Sequence, residues 1–155
     1  MPDSAPQVRF VDFADPADMR CYLDLLDAYA RDPMGAARPL DDAVKSRLAH
    51  DLPTHPTVLG LLAEQQGQAI GFATCFTGYS TFRAQPLLNI HDIAVLPPWR
   101  GRGVADALLA GIEAHARKLG CCRMTLEVRD DNPRAKRLYA RSGFVPAPCN
   151  LFMEK

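Results

Sequence analysis

The sequence lacks an excess of charge of either sign. Its 155 residues include 18 Lys plus Arg and 18 Asp plus Glu, which gives a formal net charge of zero. Binding to nucleic acids or anionic membranes depends largely on surplus basic side chains that neutralise phosphates. We therefore expect neither a nucleic acid nor a membrane among the partners of this chain.

Long apolar runs and regularly spaced metal ligands are missing as well. No apolar stretch approaches the roughly 20 residues that span a bilayer, and the opening MPDSAPQVRF lacks the order of a signal peptide. The five cysteines include no C-x-x-C pair, and the four histidines include no H-x-x-x-H pair. Zinc sites and disulfide frameworks use other spacings. We expect a cytoplasmic, reduced protein without a metal, in which Cys121 and Cys122 are small apolar filler.

The composition is that of one globular domain. Hydrophobic residues make up 48% of the chain and charged residues 23%, the balance of a soluble folded protein. A chain of this length has no room for a second domain of ordinary size. We predict a single domain over residues 1–155.

Hydrophobic periodicity predicts alternating strands and helices. In the first predicted helix, which ends at about Ala30, we expect Tyr22, Leu23 and Leu26 to face inward. The first half of the chain is predicted to form a strand at Val8–Phe13, a helix from Asp15 or Asp18 to about Ala30, a helix from about Asp41 to His50, and strands at Thr57–Glu64 and Ala69–Phe76 with Gly67 in their turn. After a loop at 77–86, the second half is predicted to form a strand at Leu87–Val95, a helix from Val104 to Leu119, a strand at 121–128, a short helix from Asn132, and a final strand or hairpin from Phe144 to Lys155.

The order of these elements predicts an α/β fold. The strand at Leu87–Val95, the long helix and the strand at 121–128 form a β-α-β crossover, which makes two central strands parallel. The hairpin around Gly67 makes its strands antiparallel. We therefore expect a mixed, mostly antiparallel sheet with helices on both faces.

The stretch VLPPWRGRGVADALL places glycines where a strand turns into a helix. Glycines let the backbone approach a ligand, and the free N–H groups of a helix N-terminus attract an anion such as pyrophosphate. In the alternative interpretation, Gly101 and Gly103 only make a tight turn. The chain has no Gly-Lys pair for a P-loop, and Asp106 stands where a dinucleotide fingerprint needs its third glycine.

Three segments together resemble the GNAT superfamily of N-acetyltransferases, and the diamine (spermidine/spermine-like) acetyltransferases in particular. The family loop reads Gln or Arg, x, x, Gly, x, Gly or Ala, as Arg100 to Ala105 do. The other two segments are Asp92-x-x-Val95 and Asn132-x-x-Ala135-x-x-Leu138-Tyr139-x-x-x-Gly143-Phe144. The resemblance implies the GNAT fold and transfer of acetyl from acetyl-CoA to a primary amine of a small molecule or peptide, by direct attack in a ternary complex.

The resemblance also implies which residues hold acetyl-CoA. The main chain around Ala94 and Val95 would pair with the pantetheine arm, and Asn132 would bond the pantetheine or its neighbouring backbone. Lys136, or one of Arg134, Arg137 and Arg141, would meet the 3′-phosphate; the alternative is a solvated helix face. The pyrophosphate would be held by the backbone N–H groups of Arg100, Gly101, Arg102, Gly103, Val104 and Ala105.

By the same resemblance, Tyr139 is the general acid that protonates the leaving CoA sulfur. A phenol with a pKa near 10 is a suitable donor to a thiolate, although Tyr139 could also be a core aromatic. His91, Asp92 and Glu127 are the candidate proton acceptors. His91 stands where diamine acetyltransferases commonly carry Glu, and it could also be a structural histidine. Asp92 is expected mainly to position backbone or acceptor, and Glu127 could pair with a neighbouring arginine.

The acceptor is expected over the loops 32–41 and 77–86, near Tyr79, Phe82 and Arg83. Acidic residues in the first loop and its flank (Asp32, Asp41 and Asp42) would favour a polyamine, whereas Arg83 would favour an amino-acid-like acceptor. A homodimer is among the expected assemblies. The rival interpretations are a non-catalytic acyl-CoA-binding regulatory domain and a protein or peptide N-acetyltransferase.

Overall fold

Five strands and four main helices make up the computed structural model, which describes residues 5–149 and 152–155. Single turns of 3₁₀ helix occur at Leu52–Thr54 and Pro97–Trp99. The elements are β1 (Gln7–Phe10), α1 (Pro16–Arg31), α2 (Asp42–Asp51), β2 (Val58–Gln65), β3 (Gln68–Ser80), β4 (Gln85–Val95), α3 (Val104–Lys118), β5 (Met124–Leu126) and α4 (Pro133–Arg141).

The strands form one sheet in chain order, β1-β2-β3-β4-β5. The first three pairings are antiparallel, and β4 pairs with β5 in parallel because α3 carries the chain back across the sheet. The prediction of a mixed, mostly antiparallel sheet with one β-α-β crossover is confirmed.

Two cores cover the two faces of the sheet, because successive strand side chains point to opposite sides. Leu61 packs with Leu108 and Ile112 of α3, while its neighbour Leu62 packs with Tyr22 and other residues of α1. The prediction of helices on both faces is confirmed. In α1 the fully buried leucine is Leu25; Leu23 and Leu26, which we expected to face inward, are only partly buried.

The predicted loop at 77–86 is mostly strand. The β3–β4 ladder continues through Thr77↔Leu88 to Ser80↔Gln85, so only residues 81–84 form the connection. Backbone groups make these bonds, and the polar, glycine-containing sequence therefore did not reveal them.

The predicted final strand from Phe144 to Lys155 is wrong for the residues described there. Neither 144–149 nor 152–155 is in a strand; the rest of the predicted element, residues 150–151, lies outside the described residues. Pro146 and Pro148 lack the backbone N–H that a ladder requires. The strand predicted at 121–128 is likewise only Met124–Leu126, and the first strand ends at Phe10.

Over the described ranges, 5–149 and 152–155, we find no helix with the length and apolar character needed to cross a membrane.

Candidate active site

Strands β4 and β5 separate to open a cavity of about 530 Å³. Their pairing runs only from Leu88↔Met124 to Ile90↔Leu126. Beyond it, residues 93–95 line one wall and residues 127–129 the other, while α1, α3, α4 and the loops next to these helices contribute the rest. The cavity therefore exists because two parallel strands diverge, and it exposes the inner edge of β4.

The exposed edge of β4 offers backbone groups to an extended ligand. The Leu96 N–H donates to the Ile70 carbonyl at 2.9 Å, so alternate residues along the ladder, Ile93 and Val95, direct their N–H and C=O away from β3. The Val95 carbonyl accepts the Arg100 Nε–H at 2.9 Å from that side. Ala94 lines the cavity with its side chain, and its own backbone groups are directed to β3.

The N-terminus of α3 reaches the cavity through a loop in which Gly101 and Gly103 have φ of 78° and 77°. The first bond within the helix runs from the Ala107 N–H to the Gly103 carbonyl, so the amides of residues 104–106 have no partner inside the helix. The lining residues here are Arg100, Gly101, Gly103, Val104, Ala105 and Asp106. Together with the helix dipole, they make a site for an anion.

Three other residues predicted to bind the cofactor differ in their placement. Asn132 lines the cavity and caps α4, where its Oδ1 accepts the Ala135 N–H at 3.1 Å. Arg102 lies over the Trp99 ring at 5.2 Å and does not line the cavity. Lys136 is also outside it, with its amine 3.0 Å from Asp130 Oδ1. By contrast, Arg134 and Arg141 both line the cavity.

Tyr139 projects from α4 into the cavity wall. Its ring packs edge-on against Phe144 at 5.9 Å and contacts the α3-side core. Burial raises the pKa of its hydroxyl to about 12. The phenol therefore keeps its proton across the physiological range and can act as a donor.

A β-bulge in β4 places His91 and Asp92 side by side. Adjacent residues Thr74 and Cys75 of β3 pair with Asp92 and Ile90, so His91 is the extra residue. Ile90 packs on the α3 side, whereas His91 packs edge-on against Phe76 at 5.5 Å and Asp92 lies opposite Thr74 in the β3–β4 ladder. Neither His91 nor Asp92 lines the cavity, but they directly precede the segment that does.

The three candidate bases have different surroundings. His91 is exposed. The Asp92 carboxyl is largely buried, and this burial raises its pKa, against the opposing effects of nearby His91 and of the Thr74 hydrogen bond. Glu127 lines the cavity, and Arg129, one of its expected partners, is bonded to Asp131 at 2.9 Å.

Tyr29 of α1 and Asp32, which caps the end of that helix, also line the cavity. Tyr29 was overlooked altogether; burial raises the pKa of its phenol, and the Asp92 and Asp32 charges add to the rise. Asp32 was expected to recruit a cation, but its carboxylate is 2.7 Å from Arg100 Nη2, a bond that lowers its pKa. The spacing of Tyr22, Leu25, Tyr29 and Asp32 at i, i+3, i+7 and i+10 was the signal that they share a helix face.

The 77–86 part of the predicted acceptor region does not meet this cavity, whereas Asp32 and Met34 of the 32–41 loop line it. Phe82 is fully exposed and Tyr79 is 62% exposed at the end of the β3–β4 hairpin. Eight residues of strand, roughly 26 Å, separate Gln85 from Ile93. Tyr79, Phe82 and Arg83 are absent from the lining because the strands continue where a loop was expected.

Among the described residues, no group of three or more His, Cys, Asp or Glu side chains is placed to hold a metal ion.

Comparisons with known proteins agree with this geometry. A model of the Acetyltransferase (GNAT) family matches residues 22–144. The "Uncharacterized N-acetyltransferase YhfO" of Bacillus subtilis (strain 168) is 29% identical over 93 residues, which are 60% of this chain and 62% of that protein. The matched region thus spans less than two thirds of that relative.

Solved structures share the fold. The aminoglycoside acetyltransferase AAC(6′)-Iy, in complex with the bisubstrate analogue CoA-S-monomethyl-acetylneamine, superposes with a TM-score of 0.80 at 21% identity, covering 98% of this chain and 99% of its own. A ribosomal-protein-alanine N-acetyltransferase from Brucella melitensis biovar Abortus 2308 gives 0.76 at 19% identity, covering 97% and 99%.

Proposed function

The chain belongs to the acetyltransferase (GNAT) family, and we propose that it transfers an acetyl group from acetyl-CoA to a primary amine by direct attack in a ternary complex. The observation that carries the proposal is the cavity between β4 and β5. It combines an open strand edge, a helix N-terminus and a half-buried phenol in one space. An extended arm that ends in a pyrophosphate fits this combination.

The proposed seat of the cofactor follows the cavity walls. The pyrophosphate would accept hydrogen bonds from the backbone N–H groups at the start of α3, and the pantetheine amides would pair with Ile93 and Val95. Arg134 is a candidate for the 3′-phosphate, because its Nη2 lies 4.0 Å from the position that a Cβ on Gly101 would take. Arg141 is bonded to Asp106 at 2.8 Å and supports the same end of the cavity.

Tyr139 is proposed as the acid of the reaction. The amine nitrogen forms a bond to the acetyl carbon, and the C–S bond breaks. Tyr139 gives its proton to the departing sulfur and regains one from solvent. A phenol that stays protonated in a buried wall is suited to this task.

Asp92 is proposed as the group that accepts the proton lost by the amine. Burial raises the pKa of this carboxyl toward neutral pH, and a base whose pKa lies near the working pH accepts a proton more efficiently. His91 remains the second candidate, because the bulge sets both side chains on the same side of β4. Glu127, on the opposite wall, is the third.

The acceptor is proposed to reach the thioester from the α1 side, where Tyr29 lines the cavity and Asp92 directly precedes its lining segment. The names of the similar structures include aminoglycosides and a ribosomal-protein alanine as acceptors, which supports testing both amino sugars and peptide N-termini. The resemblance to diamine acetyltransferases stays a prediction and adds polyamines to the panel. A homodimer and a cytoplasmic location also stay predictions.

The decisive experiment is an acetyl-CoA turnover assay with polyamines, amino sugars, amino acids and peptides as acceptors. We expect thiol release that depends on one class of amine and that falls in Tyr139→Phe. Tight CoA binding without turnover of any acceptor would instead support a non-catalytic CoA-binding regulatory domain.

A further inference from the structure

We propose that Tyr22 and Thr74 are positioning residues that fix the Asp92 carboxylate for proton acceptance, an inference that rests on the proposed acetyl transfer. Tyr22 of α1 shares a hydrogen bond with Thr74 of β3, and Thr74 is the ladder partner of Asp92 of β4, so the three side chains lie next to one another in that order. None of the three lines the cavity, so Tyr22 and Thr74 would act only through Asp92.

The hydrogen bond between Tyr22 and Thr74 is short and buried. The Tyr22 hydroxyl and Thr74 Oγ1 are 2.7 Å apart, and the two residues are 2% and 3% exposed. Thr74 is the ladder partner of Asp92, which places its hydroxyl beside the carboxylate on the same face of the sheet. A threonine hydroxyl has one proton. When Thr74 donates it to Asp92, Tyr22 must be the donor to Thr74.

Packing holds the first member of the chain in place. The Tyr22 ring makes edge contacts with Phe13 at 5.1 Å and with Phe72 at 5.6 Å. The bulge at His91 fixes the direction of Asp92 at the other end. Phenylalanine and valine would fill the same volumes without the cost of burying two hydroxyls. The hydroxyls are therefore explained by the carboxylate that they serve.

The surroundings of Asp92 determine which effects on its pKa the Thr74 hydroxyl must counteract. The titratable groups near it are Tyr22 and Tyr29 from α1, Cys75 from β3 and His91 from β4. Burial favours the protonated carboxyl, whereas the Thr74 bond favours the ionised form that can accept a proton. Removal of the Thr74 hydroxyl should therefore raise the pKa of Asp92, and loss of the Tyr22 hydroxyl should raise it less.

The test is a carbon-13 NMR titration of the aspartate carboxyls in the whole protein, with Asp92→Asn to assign the signal. Thr74→Val should move the Asp92 midpoint upward by about one pH unit, and Tyr22→Phe should move it by less. The matched controls, Thr77→Val and Tyr79→Phe on the same strand, should not move it. At a pH below the midpoint, kcat/KM should fall about tenfold in Thr74→Val while the Kd for CoA stays constant.

Thr74→Ser keeps the hydroxyl, so its Asp92 midpoint and its kcat/KM should equal those of the unsubstituted protein. This variant also tests the role of the hydroxyl if Thr74→Val does not fold. An unmoved midpoint in folded Thr74→Val, or no rescue by serine, would overturn the inference whatever the activity. A moved midpoint in a protein that acetylates no amine would support the hydrogen-bonded chain and refute the proposed function instead.

Discussion

Arg100 and Asp32 join the loop before α3 to the end of α1, with Nη2 and Oδ2 2.7 Å apart. The same guanidinium donates from Nε to the Val95 carbonyl at 2.9 Å, and Asp32 Oδ1 accepts the Met34 N–H at 2.8 Å. One arginine thus links three walls of the cavity. The two side chains are 32% and 15% exposed, so solvent screens this pair less than a surface pair.

We expect Asp32→Asn and Arg100→Gln to be non-additive in their effects on the free energy of unfolding. Groups in direct contact couple by roughly 0.5–3 kcal/mol, and this partly shielded, multiply bonded pair should lie within that range. Urea unfolding of the two single variants and the double variant measures the coupling. The exposed Glu113–Arg117 pair on α3 provides a matched cycle, which should give a coupling of no more than about 0.5 kcal/mol. Additive effects at Asp32 and Arg100 would mean that the link is not formed in solution.

Gly103→Glu should weaken CoA binding at least tenfold, about 1.4 kcal/mol. The new side chain adds bulk and negative charge where the pyrophosphate is expected. Isothermal titration calorimetry with CoA measures the change.

Gly120→Glu is the control, because Gly120 also has a positive φ and an open position, at the other end of α3. It should cost similar backbone strain and leave CoA affinity unchanged. Equal affinity in both folded variants would remove the pyrophosphate assignment.

Arg134→Gln should weaken binding of CoA about tenfold through loss of a charge-assisted contact to phosphate, while dephospho-CoA should bind both proteins equally. Lys136→Gln is the matched variant on the same helix, and it should change neither affinity, because Lys136 lies outside the cavity and is bonded to Asp130. The opposite pattern would restore Lys136 as the phosphate ligand.

Tyr139→Phe should lower kcat by about 10²–10⁴ with little change in CoA affinity. The ring and its contact with Phe144 stay, and only the proton donor is lost. Steady-state kinetics and calorimetry separate the two effects, and Tyr79→Phe controls for loss of an exposed phenol. An unchanged kcat would make Tyr139 a core aromatic.

The pH dependence follows from the two buried acids. Asp92 must be ionised to accept a proton, so activity should rise with pH through a pKa that burial has raised. Tyr139 must be protonated, and its pKa of about 12 places the loss of activity above the usual assay range. The profile should therefore ascend and then stay level up to about pH 10.

The group responsible for the ascending limb of the pH profile is identified by changing the substrate amine and by substituting His91. Kinetics with amines of different basicity show whether the limb reports an enzyme group or the substrate ammonium. A limb set by an enzyme group keeps the same pKa with every amine. His91→Gln should also leave it in place. Disappearance of the limb in His91→Gln would make His91 the base, and a limb that follows the amine would mean that the ionisation of the substrate, and not that of Asp92, sets the pH dependence.

The sequence by itself determined the parts of this protein that depend on short-range rules. Glycines before an amphipathic stretch fix where α3 starts and free its first amides, and the Asn132-Pro133 pair starts α4, which carries Tyr139. The alternation of strand and helix patterns was enough to predict a mixed sheet with a parallel crossover. These features need only the backbone preferences of neighbouring residues.

The tertiary structure alone decided which distant residues meet. Tyr22 bonds Thr74 across 52 residues, and Arg100 bonds Asp32 across 68, separations for which the sequence carries no spacing rule. The length of the β3–β4 ladder was missed for a related reason, since strand pairing is made by backbone groups that every residue possesses. The cavity itself arises where β4 and β5 stop pairing, directly before the bulge at His91, and no local pattern in the sequence encodes either the end of the pairing or the bulge.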